Sequence, residues 1–179
     1  KKNMSNLRLI NETTFSGVAT ANLTDVFSSD FDIYQIVATG FNTTSGTVGR
    51  GRLRFITSGG SVDTSSNYGS ASLAIEAPAS GSYATPKNFD SYIDFVLYDN
   101  GQAGGDSAGV WYIYNPYNST RYTHMTFQES HFQASYGNGT EQGAGYLKVL
   151  GSITGVSLYA QSGGSFDVKL RTYGLRRDT

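Results

Sequence analysis

Hydrophobic and polar positions alternate with a period of two along most of this 179-residue chain, and the i, i+3, i+4, i+7 spacing of an amphipathic helix is hard to find. In "RGRLRFIT" (50–57), Leu53 and Phe55 point one way while Arg52, Arg54 and Ile56 point the other. In "SYIDFVLY" (91–98), Ile93, Phe95 and Leu97 alternate with Tyr92, Asp94, Val96 and Tyr98; in "SFDVKLRTYGL" (165–175), Phe166, Val168 and Leu170 alternate with Asp167, Lys169 and Arg171. A sheet with one buried and one solvated face demands this pattern. Further strands are predicted at 7–10, 15–22, 33–41, 71–76, 110–115, 121–128, 145–150 and 153–160. Between them, "SGG" (58–60), "DNG" (99–101), "NP" (115–116), "GNG" (137–139) and "SGG" (162–164) supply turn residues. About ten short strands separated by turns predict an all-β fold, an antiparallel β-sandwich of jelly-roll type.

The alternation also predicts a core: Ile36, Leu53, Phe55, Phe95, Leu97, Val156, Leu158, Phe166, Val168 and Leu170. No linker or internal repeat divides the chain, so residues 13–179 read as a single domain, with 1–12 as an extended arm and candidate attachment segment. A chain of this length buries roughly 70% of its unfolded surface and needs no disulfide or metal to hold a core. In "DVFSSDFDIYQIVATGF" (25–41), Tyr34, Ile36 and Ala38 share one strand face, so the acids Asp25, Asp30 and Asp32 ahead of it read as turn and strand-entry residues. A calcium loop wants further oxygen ligands at fixed spacing, which this segment lacks.

Composition strengthens the all-β reading: 22 Gly, 13 Tyr and 10 Phe stand beside abundant Ser, Thr and Asn, with few of the helix builders Glu, Lys, Leu and Ala. With no cysteine, thiol catalysis, cysteine–zinc sites and disulfide scaffolds are excluded, while the redox compartment stays open. A formal net charge of −1, with 15% charged residues, gives no electrostatic drive toward nucleic acid or a membrane surface. No apolar stretch approaches the roughly 18 residues of a membrane span. The opening "KKNMSNLRLINE" lacks the apolar centre of a secretory signal. Neither membrane insertion nor export is expected.

Four segments carry a resemblance: "LTDVFSSDFDIYQIVATGF" (23–41), the basic strand "GRLRF" (51–55), "DTSSNYGSA" (63–71) and "ITGVSLYAQSGGSFDVKLRTYGL" (153–175). Together they resemble a β-sandwich domain that recurs in virion proteins of tailed bacteriophages. There an F-(S/T)-S-x-(Y/F)-D-x-Y-x-I segment leads into a strand, an L-R-(F/L) strand and a Ser-x-Tyr follow, and the chain closes on an I-x-G-(V/I) strand and a Y-G-(L/I) end. The resemblance spans about residues 13–175. It rests on core and turn residues, so it speaks to fold and setting rather than activity. It implies a surface part of the particle: a tail fibre or spike domain, a head fibre or a capsid decoration protein, made in the host cytoplasm, docked on other virion proteins and commonly homotrimeric. It carries no catalytic residues.

Read without the resemblance, the chemistry is sparse. His124 and His131 are the only histidines, too few for a metal site without cysteine. No G-x-S-x-G elbow is present. Asp94, Asp99, Asp106, Glu129 and Glu141 are candidates for the carboxylate pair of a glycosidase, but no pair stands out. The glycine-rich stretches 101–109 and 137–145 lack the Lys-Ser/Thr of a phosphate loop and read as long β-loops. The N-x-S/T triplets starting at Asn3, Asn11, Asn22, Asn42, Asn118 and Asn138 follow from a composition rich in Asn, Ser and Thr. No enzymatic activity, cofactor or metal is expected.

Two features remain as candidates for recognition or subunit contact. In "WYIYNPYNSTRY" (111–122), Trp111 and Ile113 face one way and Tyr112 and Tyr114 the other, while Tyr117 and Tyr122 flank a loop. Such aromatics stack on sugars or anchor interfaces, and buried sheets recruit them equally well, which weighs toward a core and inter-subunit cluster. Arg50, Arg52 and Arg54 align on one strand face, as a solvated surface or as a contact for acidic groups on a neighbouring subunit or for an anionic host polysaccharide. The expected function is a non-enzymatic virion surface protein that contributes to attachment at the host surface, with a host glycan as candidate ligand. The alternative is a carbohydrate-binding module of a bacterial surface or secreted protein.

Overall fold

The computed structural model describes residues 6–46, 49–77, 81–84, 87–95, 106–133 and 137–175. Among them, thirteen strands follow in chain order: β1 (Leu7–Val18), β2 (Thr20–Leu23), β3 (Ile33–Ser45), β4 (Gly51–Thr57), β5 (Tyr68–Glu76), β6 (Gly81–Ala84), β7 (Lys87–Asp90), β8 (Ile93–Phe95), β9 (Ser107–Tyr114), β10 (Thr123–Gln133), β11 (Gly137–Leu147), β12 (Ile153–Ala160) and β13 (Ser165–Leu175). All their pairings are antiparallel.

Eight of these strands form a jelly roll. β1, β13, β3 and β9 lie side by side in one sheet, and β2, β12, β4 and β8 in the other, so the chain passes repeatedly from sheet to sheet and wraps them as one roll. The other five strands widen the first sheet only. β10 and β11 continue it beyond β9, β5 follows β11, and β6 and β7 both pair with β5. A nine-stranded sheet therefore packs on a four-stranded one. The sequence accounted for about ten strands; the additional ones belong mainly to this widening.

Period-two alternation builds the core between the layers. Tyr34, Ile36, Trp111, Ile113, Phe166, Val168 and Leu170 enter it from the large sheet, and Leu53, Phe55, Ile93, Val156 and Leu158 from the small one. The predicted core residues Ile36, Leu53, Phe55, Val156, Leu158, Phe166, Val168 and Leu170 are all buried, each contributing about 1.5–3 kcal/mol where fully removed from water. The side chains of Phe95 and Leu97 lie outside the described residues.

The acidic turn ahead of β3 is strapped down by the first inward residue of that strand. Tyr34 Oη accepts from Ser28 N–H at 2.7 Å and donates to Ser28 C=O at 2.8 Å, while its ring packs on Phe27 and Phe31. Asp25 takes a positive φ of 55°, as a turn residue does.

Two expectations change. "GNG" and the glycine-rich stretch 137–145 form β11 rather than a turn and a loop. Its inward glycines leave room for side chains of neighbouring strands: His131 lies across Gly139, and a Cβ would come within 2.6 Å of Phe127 at Gly143 and 2.8 Å of Ile93 at Gly145. The strand predicted at 7–10 is present, but residues 7–12 are not part of a separate arm: they belong to β1, the edge strand of the large sheet, where Leu7 pairs with Leu175 and Glu12 with Arg171.

Candidate functional site

The outward residues of β5, β11, β10, β9 and β3 fall into transverse rows because the strands pair in register. One row reads Tyr146, His124, Tyr114, Ile33; the next Ala71, Ala144, Thr126, Tyr112, Gln35; the third Leu73, Gln142, Gln128, Val110, Val37; the fourth Ile75, Thr140, Ser130, Ala108. The two alanines keep the second row low beside Tyr112, and a groove of about 710 Å³ opens there, with Gln35, Leu73, Gln128 and Gln142 along its walls. A hollow of about 290 Å³ adjoins it at Tyr114, His124 and Tyr146, and one of about 300 Å³ at Val37, Ser130 and Thr140.

Local contacts hold the face in shape. Gln35 Nε2 donates to Tyr112 Oη at 2.8 Å, and the Tyr114 and Thr126 hydroxyls lie 3.1 Å apart. Tyr146 lies down across Gly69, where a Cβ would meet the ring at 2.5 Å, and its centroid is 6.1 Å from that of His124. None of the rows carries an Asp, Glu, Lys or Arg. Charge is instead found on the jelly-roll strands: Glu12 of β1 binds Lys169 at 2.7 Å and Arg171 at 2.5 Å on β13, and hydrogen bonds from Lys169 and then Arg171 hold its carboxyl below the usual range.

The structure separates the residues singled out from sequence. Tyr112 and Tyr114 lie on the groove face. Trp111 is fully buried and donates from Nε1 to Glu129 Oε1 at 2.9 Å. Tyr117 lines a separate hollow beside Ser28 and Asn118, and Tyr122 is exposed in the turn before β10. Arg52 and Arg54 lie on β4 of the other sheet and Arg50 just ahead of it, where an inward-facing Ile93 leaves Asp94 on their side. Arg50 and Arg52 reach Asp94 at 3.9 and 3.4 Å. Arg52 lies 3.9 Å over the Tyr92 ring and Arg54 4.6 Å over Tyr159, contacts that order a guanidinium as a surface cation alone would not.

Of the candidate acids, Glu129 and Glu141 are brought directly opposite each other on β10 and β11, but on the inner face and buried. Burial pushes the Glu129 carboxyl well above the usual range; the Trp111 hydrogen bond opposes this and the Glu141 charge adds to it. Its Oε2 has no hydrogen-bond partner among the described residues. His131, on the same inner face, is pushed down by burial. His124 and His131, an odd number of residues apart on β10, face opposite sides of the sheet. Asp106 is exposed ahead of β9 and Asp99 lies outside the described residues. Sequence reasoning passed over Gln35, Gln128, Gln142 and Tyr146. The available signal was the outward phase of "THMTFQES" (123–130), which places His124, Thr126, Gln128 and Ser130 on one face with no charge among them.

Fold and face together define a jelly-roll domain with one widened sheet, whose outward rows from β5 to β3 carry no charged side chain. No protein-family profile matches the chain, and a search of characterised proteins finds no match. Among solved structures, the chain is similar to the CBM2 module of the evolved Dit of Lactobacillus casei BL23 phage J-1, at 14% identity and a TM-score of 0.32 over 89% of this chain and 70% of that one. It is also similar to a structure of Bacillus endospore appendages, described as a family of disulfide-linked pili, at 12% identity and a TM-score of 0.22 over 94% and 87% of the two chains. Likenesses this distant carry no weight in the functional reading, which rests on the face itself.

Proposed function

We propose that this protein is a non-enzymatic attachment module on the surface of a tailed-phage particle and that it binds carbohydrate of the host surface through the outer face of its widened sheet. The observation that carries the binding half is the groove over Thr126, framed by Tyr112, Gln35, Gln128 and Gln142 and free of formal charge. Amide and hydroxyl side chains both donate and accept, as sugar hydroxyls do, and tyrosine rings offer flat apolar faces. The virion setting is supported by the sequence resemblance over residues 13–175. A non-catalytic role fits the acids: Glu129 and Glu141 are buried, and Asp94 engages arginines.

In this reading the segment at 1–12 is the candidate contact with the particle, and a homotrimer would turn several weak sugar contacts into firm attachment through effective concentration. The test uses particles assembled with and without the protein. Particles that carry it should adsorb to cells and to polysaccharide extracted from them, and soluble protein should compete. Equal adsorption without the protein would refute the attachment role. Glycan binding by a protein never found on particles would favour the alternative, a carbohydrate-binding module of a bacterial surface or secreted protein.

A further inference from the structure

The hollows on the outer face are parts of one groove. The central one shares Ala71 and Thr126 with the hollow at Tyr146, and Val110 and Gln128 with the hollow at Ser130. The groove therefore follows β10 from His124 to Ser130, about 20 Å at the rise of a strand. A binding site for one terminal sugar needs only a fraction of that length. The lining changes along the way, from rings at Tyr146 and Tyr114 to amides at Gln128 and Gln142 and then to hydroxyls at Ser130 and Thr140.

Absence of charge is as informative as the shape. A carboxylate, sulfate or phosphate on a ligand would lose water here and meet no lysine or arginine among the lining residues, a desolvation that the lining does not repay. The cations at its two ends, Lys148 past Tyr146 and Arg171 past Val37, lie outside the lining, and Arg171 is engaged by Glu12. The arginines of β4 point from the opposite face of the sandwich and are held by Asp94, Tyr92 and Tyr159. One face of the Tyr146 ring is turned to Gly69, which leaves the other for a sugar ring.

From these observations we infer that the groove takes a neutral, extended glycan chain lying along β10, and that it selects against acidic glycans. This rests on the carbohydrate reading of the same face. Tyr146 and Tyr112 are its stacking platforms, and Gln128 and Gln142 bond the sugar hydroxyls between them.

The test is calorimetric titration of the full chain with two panels of soluble oligosaccharides. One is neutral (glucan, mannan and galactan fragments), the other acidic (polygalacturonate and hyaluronan fragments), each from disaccharide upward. At least one neutral series should bind, tighten with chain length and be insensitive to salt. Tyr146→Ala and Tyr112→Ala should weaken it about tenfold or more, as loss of an interface anchor does, while Arg52→Glu leaves it unchanged and melting curves show every variant folded. Binding confined to the acidic panel, or salt-sensitive, overturns the inference and leaves the carbohydrate reading standing. Affinity that does not grow beyond the disaccharide overturns the extended chain. Binding to neither panel overturns both, and an accompanying loss of particle assembly in Tyr112→Ala would identify the groove as a seat for another virion protein.

Discussion

The two halves of the large sheet share one backbone pattern but differ in chemistry. In the jelly-roll half, β1 and β13 turn charges outward, Glu12, Lys169 and Arg171 among them, and send apolar side chains such as Phe166 and Leu170 inward. In the widened half, β10, β11 and β5 turn amides, hydroxyls, small residues and rings outward, and their inner face admits Glu129, His131, Glu141 and several glycines. A half that serves only stability has no reason to strip charge from its solvent face, where it aids solubility, nor to bury carboxylates, which costs free energy. On the proposed reading, the jelly roll is the support and the widened half carries the recognition face.

The largest effect expected from this division is in the support. Phe166 is fully buried and lies 4.8 Å from the Phe41 ring, so Phe166→Ala should cost about 3–5 kcal/mol in chemical denaturation. A loss of only about 0.5 kcal/mol, the usual scale of a surface change, would show that the core is centred elsewhere.

Next comes the joint between the halves. Trp111 on β9 donates to Glu129 on β10, so Trp111→Phe keeps the ring in place but removes a buried donor, at about 1–3 kcal/mol. Glu129→Gln keeps an acceptor for the indole and removes the proton linkage. Because burial raises the Glu129 pKa in the folded state, the folded chain holds a proton that the unfolded chain releases above about 4.5. Wild-type stability should therefore fall relative to the variant as pH rises beyond that value, by up to about 1.4 kcal/mol per pH unit, until the folded-state pKa is passed. Parallel stability curves for the two proteins would contradict the buried-acid assignment.

A smaller effect is expected at Gly69, where Gly69→Ala forces the Tyr146 ring off the sheet. Stability should drop by only about 1 kcal/mol, with sugar binding reduced as in Tyr146→Ala. Smallest of all should be Gln128→Ala and Tyr112→Ala on the groove face, within about 0.5 kcal/mol of wild type, with their effect confined to binding.

The jelly-roll half was legible in the sequence because its alternation is strict: "GRLRF" and "SFDVKLRTYGL" show one face of apolar residues and one of charges, and each residue's role follows from its own neighbours. The widened half was not, because the reasons for its residues lie on other strands. Gly139, Gly143 and Gly145 look like loop glycines until His131, Phe127 and Ile93 are seen packing over them. The outward phase of Tyr112 against the inward phase of Trp111 was readable. The alignment of Gln128 with Gln142, and of both with Leu73, needed the register of three strands. The arginine face was visible on β4, but its partner Asp94 sits on a short strand that reaches β4 from far along the chain.

The most direct measurement of the central claim is a map of backbone amide chemical shifts during titration of the isotopically labelled protein with a neutral oligosaccharide of the series that binds. Shifts should cluster on the outward residues of β9, β10, β11 and β5, centred on Tyr112, Thr126, Gln128 and Tyr146, and the arginine strand β4 should stay still. Shifts concentrated on Arg52, Arg54 and Tyr159, or spread over β1 and β13, would place recognition on the jelly roll and contradict the division between support and binding face.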